Sequence, residues 1–193
     1  MFTRSLSYRF TRALLVLALF LASAAFAQDY FPHRDGLSWT YSNGETQTLS
    51  GPQEIAGEEV MVLTHVLDGN VVSKDYLGYD DIGVFSYGTE AGGQTLLYDP
   101  PLTLYAGNSL QVGQSWQSAT NVAGIEITLA AEVVGMRGIR TELGRFNALQ
   151  VRQRTFTNTG AQTTLDLYVV PGIGVVRFET QDGTTVDLVE KNF

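Results

Sequence analysis

The chain has 193 residues, 44% of them hydrophobic and 17% charged, with no cysteine and a formal net charge of -8. This excludes a disulfide-stapled miniprotein, a thiolate metal site and a cysteine nucleophile. It also argues against a nucleic-acid binder, which needs a basic stripe to displace counterions from phosphates.

The chain opens with Arg4, Arg9 and Arg12, followed by the apolar run from Ala13 to Ala22 and then Ala25-Phe26-Ala27. A basic start, a short apolar core and an Ala-x-Ala end predict a secretory signal over residues 1–27, cleaved after Ala27. The run is shorter than the ~20 apolar residues needed to span a bilayer, so no membrane span is expected after cleavage. With no cysteine there is no acceptor for a lipid anchor. The mature chain, residues 28–193, keeps 166 residues, nine of the twelve basic residues and all twenty acids, for a formal charge of -11. It is expected to be one soluble domain, periplasmic or extracellular, burying roughly 70% of its unfolded surface.

In chain order, Leu37–Tyr41 and Thr46–Leu49 read as strands around Ser42-Asn43-Gly44-Glu45, where Asn-Gly suits a type I′ hairpin. Asp68-Gly69-Asn70 separates a strand over 60–67 from one over 71–77. From Ile125 to Val133 the alternation is regular, with Ile125, Ile127, Leu129, Ala131 and Val133 on one face. From Gln162 to Val169 it recurs, with Thr163, Leu165, Leu167 and Val169 on one face. Asp182-Gly183 turns the chain between 173–180 and 184–189. A period of two with such punctuation predicts half-buried antiparallel strands, and no mature segment carries a capped helical stripe. The expected fold is all-β: a single strongly curved antiparallel sheet or open half-barrel of about nine to eleven strands, because twist curls large sheets.

Chemistry-bearing residues are sparse. His33 lies in the polar segment Pro32–Gly36, and His65 shares a strand face with Met61, Leu63 and Leu67, where it reads as a buried, hydrogen-bonded residue. Neither has partners at metal-ligand spacing. Glu58-Glu59 and Asp80-Asp81 are adjacent acids beside turn glycines, and adjacent strand residues point to opposite faces, so they read as solvated turns. A hydrolase working through Asp80 or Asp81 would need a second titratable group in a shared cleft. Asp68, Asn70 and Asp75 lack the closing glutamate of a calcium loop. No catalytic residue, metal or cofactor is predicted.

Two asymmetries remain. Tyr76, Tyr79, Phe85, Tyr87, Tyr98 and Tyr105 place six aromatics in thirty residues, and on a concave sheet such side chains could hold an apolar small molecule or lipid. Arg137, Arg140, Arg145, Arg152 and Arg154 gather five of the nine mature basic residues, with Arg152 and Arg154 on one strand face. That strip could meet an anionic partner, or pair with the chain's own acids.

Several segments together carry a resemblance. Tyr30-Phe31-Pro32 with Gly36–Tyr41, Pro100-Pro101-Leu102 with Val112–Trp116, Glu132–Gly135 with Gly144–Leu149, and Tyr168–Arg177 resemble, in order, the motifs of TapB-like bacterial exported proteins and lipoproteins of unassigned function. The resemblance implies a curved sheet related to the half-barrel of LolA- and LolB-type lipoprotein carriers. It implies no catalytic residues. The expected function is a non-enzymatic binding or assembly protein whose concave sheet receives an apolar or lipid-like ligand. The alternative is a structural protein of the cell envelope that meets an envelope partner through a sheet edge or the Arg137–Arg154 strip.

Overall fold

A computed structural model describes residues 30–193. The expected signal segment, residues 1–27, lies outside the described residues. Twelve strands follow one another without an intervening helix: β1 Ser38–Tyr41, β2 Thr46–Ile55, β3 Glu58–Leu67, β4 Asn70–Asp80, β5 Gly83–Ala91, β6 Gln94–Ala106, β7 Ser115–Val122, β8 Ile125–Thr141, β9 Gly144–Thr157, β10 Gln162–Val170, β11 Gly174–Thr180 and β12 Thr185–Lys191. Each pairs antiparallel with its sequence neighbours, and β1 also pairs with β12, so the sheet is a closed barrel. No helix among the described residues is long and apolar enough to cross a membrane.

The open half-barrel of nine to eleven strands is therefore corrected to a closed barrel of twelve. Closure depends on pairing residues about 150 positions apart, Trp39 with Lys191, Thr40 with Glu190 and Tyr41 with Leu188, and no local period reports such a pairing. Side chains from β1 extend the latch beyond its neighbour. The Trp39 indole donates to the Ile173 carbonyl at 2.7 Å and the Tyr41 hydroxyl to the Val175 carbonyl at 3.0 Å. The amide of Ser42 donates to the Asp187 carbonyl, and the Asn192 side chain accepts from the Ser38 amide and donates to the Gly36 carbonyl.

The first hairpin also differs from expectation. Asn43 is not at positive φ, Gly44 is (+85°), and the Gly44 amide donates to the Tyr41 carbonyl while the Tyr41 amide donates to the Glu45 carbonyl. This is a three-residue loop closed by a left-handed glycine rather than a two-residue type I′ turn. The type I′ signature appears instead at Asp68-Gly69, where both residues have positive φ.

Burial follows the predicted alternation at Leu129, Ala131 and Val133 on β8 and at Leu167 and Val169 on β10, whereas Ile125 and Thr163 at the strand starts are exposed. Val133, Val151 and Val169, on adjacent strands β8, β9 and β10, are fully buried and anchor one core cluster. Burying each contributes on the order of 1.5–3 kcal/mol. A second cluster joins Trp39 and Tyr41 to Leu49, Val176 and Leu188, around the closing strands. A third, smaller cluster of Val60, Val62 and Tyr76, with Tyr87 against it, alternates with Leu63, His65 and Leu77 and so covers the outer face. There the Tyr87 ring occupies the space above Gly78, where a Cβ would meet it at 2.5 Å.

One seam is thin. β6 and β7 share the single backbone pair Asp99–Asn121, and the next two residues of β6, Pro100 and Pro101, have no N–H to offer. Side chains substitute: the Ser118 hydroxyl accepts from the Thr103 amide at 3.0 Å, and the amides of Gln114 and Gln153 donate to the carbonyls of Ala106 and Leu104. Both buried side-chain polar atoms that lack a partner among the described residues, the Trp116 indole nitrogen and the Thr120 hydroxyl, lie on β7. Amide exchange measured by mass spectrometry should therefore open β6 between Leu102 and Ala106 at least about tenfold sooner than the centre of the β8–β9 ladder. Equal protection in both segments would contradict the weak seam.

Candidate functional site

A barrel of eight strands is just filled by its own side chains, so twelve strands leave room to spare. Here the remaining space is a cavity of about 290 Å³ inside the barrel. Its walls come from alternate positions of β1 to β6 and β9 to β11, where period-two residues turn inward: Trp39 and Tyr41, Gln47 and Leu49, Leu63 and His65, Asp75, Leu77 and Tyr79, Gln153, Leu165 and Leu167.

The two ends of the cavity differ. At the end where the chain enters β1, Phe31 and Pro32 form part of the wall. The Phe31 ring stacks on Tyr105 with centroids 3.7 Å apart, and the His33 ring stacks on Tyr79 at 4.7 Å. Pro32 packs near Gly174, beside the Trp39 indole. Burial pushes the Tyr105 phenol well above its ordinary pKa, with the neighbouring Tyr79 adding to the shift. The Tyr41 phenol is raised the same way, by burial first and then by Tyr105 and Glu45. Both therefore remain neutral at any physiological pH.

The opposite end, near the β1–β2 and β3–β4 turns, is polar. The His65 Nδ1 lies 2.7 Å from a Glu45 carboxylate oxygen, and its Nε2 lies 3.0 Å from an Asp75 oxygen. The Gln47 side-chain amide donates to the same Glu45 oxygen at 2.9 Å. Registry explains the meeting: Gln47 pairs with His65 across β2 and β3, and Leu63 pairs with Asp75 across β3 and β4, so all three point inward side by side. Burial disfavours a charged His65, but the hydrogen bonds to Asp75 and Glu45 and their negative charge outweigh it and raise its pKa above the ordinary 6.5. For Glu45 burial likewise opposes ionisation, but hydrogen bonds from Gln47 and His65 prevail and hold its pKa below the ordinary 4.5. Among the described residues no group of three or more His, Asp and Glu is placed to hold a metal ion.

Of the six aromatics singled out from the sequence, only Tyr79 and Tyr105 line the cavity. Tyr76 and Tyr87 belong to the outer cluster, and the Tyr76 hydroxyl donates to Glu90 at 3.0 Å. Phe85 pairs with Gly78 and Thr103 and is not in the cavity wall. Tyr98 also lies outside the wall, its pKa raised by burial and by the nearby Asp75 carboxylate. Tyr76 and Tyr79 stand three residues apart on β4, so alternation alone turns them to opposite faces, and bulges in the β5–β6 pairing shift the register further along. Phe31, Trp39, Tyr41 and Phe178 line the cavity instead. The alternation Leu37-Trp39-Tyr41 was the available signal for two of them.

Arg152 and Arg154 lie on the outer face of β9, alternating with the inward Val151 and Gln153. Arg152 makes a bidentate pair with Asp166, both bonds at 2.8 Å, and Gln150 donates to the same carboxylate. Arg154 pairs in register with Ala130 and Thr164, and Asp166 feels its charge. Of the turn acids, Asp80 accepts hydrogen bonds from the amides of Ile82 and Gly83.

No protein-family model and no curated protein matches this chain. Two solved structures are similar to it. One, described as a "putative lipoprotein" from Parabacteroides distasonis, is 14% identical, covers 86% of this chain and 99% of its own, and superposes with a TM-score of 0.48. The other, described as a "putative exported protein with YmcC-like fold" from Bacteroides fragilis, is 15% identical over 84% of this chain and 98% of its own, with a TM-score of 0.45. Neither is described as TapB-like or as a carrier of the LolA or LolB type, and the closed barrel departs from the half-barrel that the sequence resemblance implies.

The Glu45–His65–Asp75 bridge has a definite pH signature. The His65 contribution to stability is complete below its ordinary pKa of 6.5 and is lost as pH rises through its raised folded value. The Glu45 contribution is present above 4.5 and is lost as pH falls through its lowered folded value. Stability to urea should therefore peak between about pH 4.5 and 6.5. His65→Gln should flatten the decline on the alkaline side, and an identical alkaline limb in the variant would contradict the assignment.

Proposed function

We propose that this chain is an exported, non-enzymatic binding protein whose closed barrel holds one small, largely apolar molecule. The observation that carries the reading is the cavity of about 290 Å³, walled mainly by aromatic and aliphatic side chains. It stands at the lower end of the roughly 300–1,000 Å³ typical of small-molecule sites, which suits a single chain or ring system and not a two-chain lipid. The export part rests on the signal-like residues 1–27. A binding role is favoured over a catalytic one by His65. Both of its ring nitrogens are already held by carboxylates, which leaves neither to exchange a proton with a bound molecule.

An envelope-partner role through Arg152 and Arg154 is less well supported. Asp166 already holds Arg152 in a fork-on-fork pair, and closing the barrel removes most of the sheet edge a partner strand would use.

Leu63, partly buried in the cavity wall between Leu49 and Asp75, provides the test. Leu63→Trp should abolish uptake of a neutral apolar dye such as Nile red while leaving the far-UV spectrum intact. Stability should change by less than about 1 kcal/mol, because the larger ring enters empty space. In a filled core the same change would cost on the order of 1–3 kcal/mol. Such a loss, together with no dye binding by the parent protein, would sink the cavity reading.

A further inference from the structure

We propose that the polar end of the cavity is a subsite for a cationic head group, so that the ligand taken by this barrel is a small amphiphile carrying a protonated amine. This rests on the cavity reading above and adds the chemistry of the molecule that fills it.

The charge balance of the wall is the main argument. No lysine or arginine lines the cavity; its charged residues are His65 and Asp75, with Glu45 bonded directly to the imidazole. Two carboxylates around one imidazole leave a net charge of -1 when the ring is protonated and -2 when it is neutral. The chain's own cations near these strands are engaged elsewhere. Lys74 alternates with Asp75 along β4, faces outward and pairs with Glu90 at 3.0 Å. Arg152 is held by Asp166, and Arg177 by Asp187. The negative charge at this end of an otherwise apolar chamber is therefore not neutralised by a neighbouring side chain.

Access and shape agree with that balance. The side chains of His65, Glu45 and Asp75 retain 16%, 24% and 35% of their exposure, so the polar end is open enough to be reached while the far end is walled in part by Phe31 and Pro32. His65 takes one oxygen of Asp75, and the second oxygen has no bonded partner among the described residues. An ammonium placed there would gain a charge-assisted hydrogen bond in surroundings of reduced dielectric, while its chain lay against Leu77, Leu104 and Phe178. A fatty acid in the same pose would bring a third carboxylate beside two others, which low-dielectric surroundings penalise strongly. The preferred ligand is thus a cationic amphiphile and not an anionic one.

The test uses octylamine, octanol and octanoate, three molecules with one chain and three heads, in competition with Nile red for the wild-type protein at pH 8. Octylamine should displace the dye at concentrations at least about tenfold below those of octanoate, with octanol between them. In the double variant Glu45→Gln, Asp75→Asn the preference for octylamine over octanoate should shrink to within about threefold. Octanoate binding as well as or better than octylamine would overturn the cationic subsite and leave the cavity standing. Failure of Nile red and of all three competitors would overturn the cavity reading itself. The wild-type series decides between heads without any variant, so the outcome does not depend on the double variant folding.

Discussion

The architecture depends on the latch between the first and last strands. β1 is only four residues long, yet it pairs with β12 on one side and β2 on the other, and its Trp39 and Tyr41 reach past β12 to the carbonyls of Ile173, just before β11, and Val175 within it. Without that latch the molecule would be a curled sheet with two free edges, exposed to pairing with other chains. With it, the inward faces of β1 to β6 and of β9 to β11 surround a common interior. The cavity, its aromatic wall and its polar end are consequences of closure. Trp39 and Tyr41 serve both purposes, since the rings that fasten the seam also line the chamber.

Closure also carries a cost that the molecule leaves visible. The Glu45–His65–Asp75 bridge sits at one end of a mostly apolar chamber, where removing charges from water is expensive unless they are paired and hydrogen-bonded. The pairing is thorough for His65 and one-sided for the carboxylates, which outnumber the cation. A barrel selected for stability alone would place apolar side chains at these three inward positions. Retaining two acids and a histidine there is understandable if the interior has to recognise something. At the thin β6–β7 seam, similarly, side chains of Ser118, Gln114 and Gln153 stand in for missing ladder bonds. That seam borders the cavity through Leu104 and Tyr105, so the weakest pairing in the barrel lies beside the chamber.

Much of the local structure was legible in the sequence. The alternations at Ile125–Val133 and Gln162–Val169 marked β8 and β10 and the face that each buries, and Asp68-Gly69 and Asp182-Gly183 marked turns. Each of these is written in neighbouring residues. Closure was not legible, because it joins Trp39 to Lys191. The site was only partly so. His65 could be assigned to an inward face with Leu63, but its partners come from positions 20 residues before and 10 after it, brought together by the registers of two ladders. The aromatic group divides for two reasons: Tyr76 and Tyr79 stand three apart on β4 and so face opposite sides, and bulges beside Phe85 and Ser86 reset which side of the sheet later residues face, so Tyr79 and Tyr105 turn inward while Tyr76 and Tyr87 cover the outside. Periodicity within a strand does not survive a bulge that only the partner strand reveals.

The central claim is that the barrel interior is a chamber kept open for a molecule with one polar, positively charged end. It is tested most directly by a high-resolution crystal structure of the protein purified from its native source without detergent. The account predicts continuous non-protein density between Phe31 and His65, with its polar end within hydrogen-bond distance of Asp75. Side chains collapsed into that space, or isolated waters alone in a structure of protein also incubated with octylamine, would contradict it.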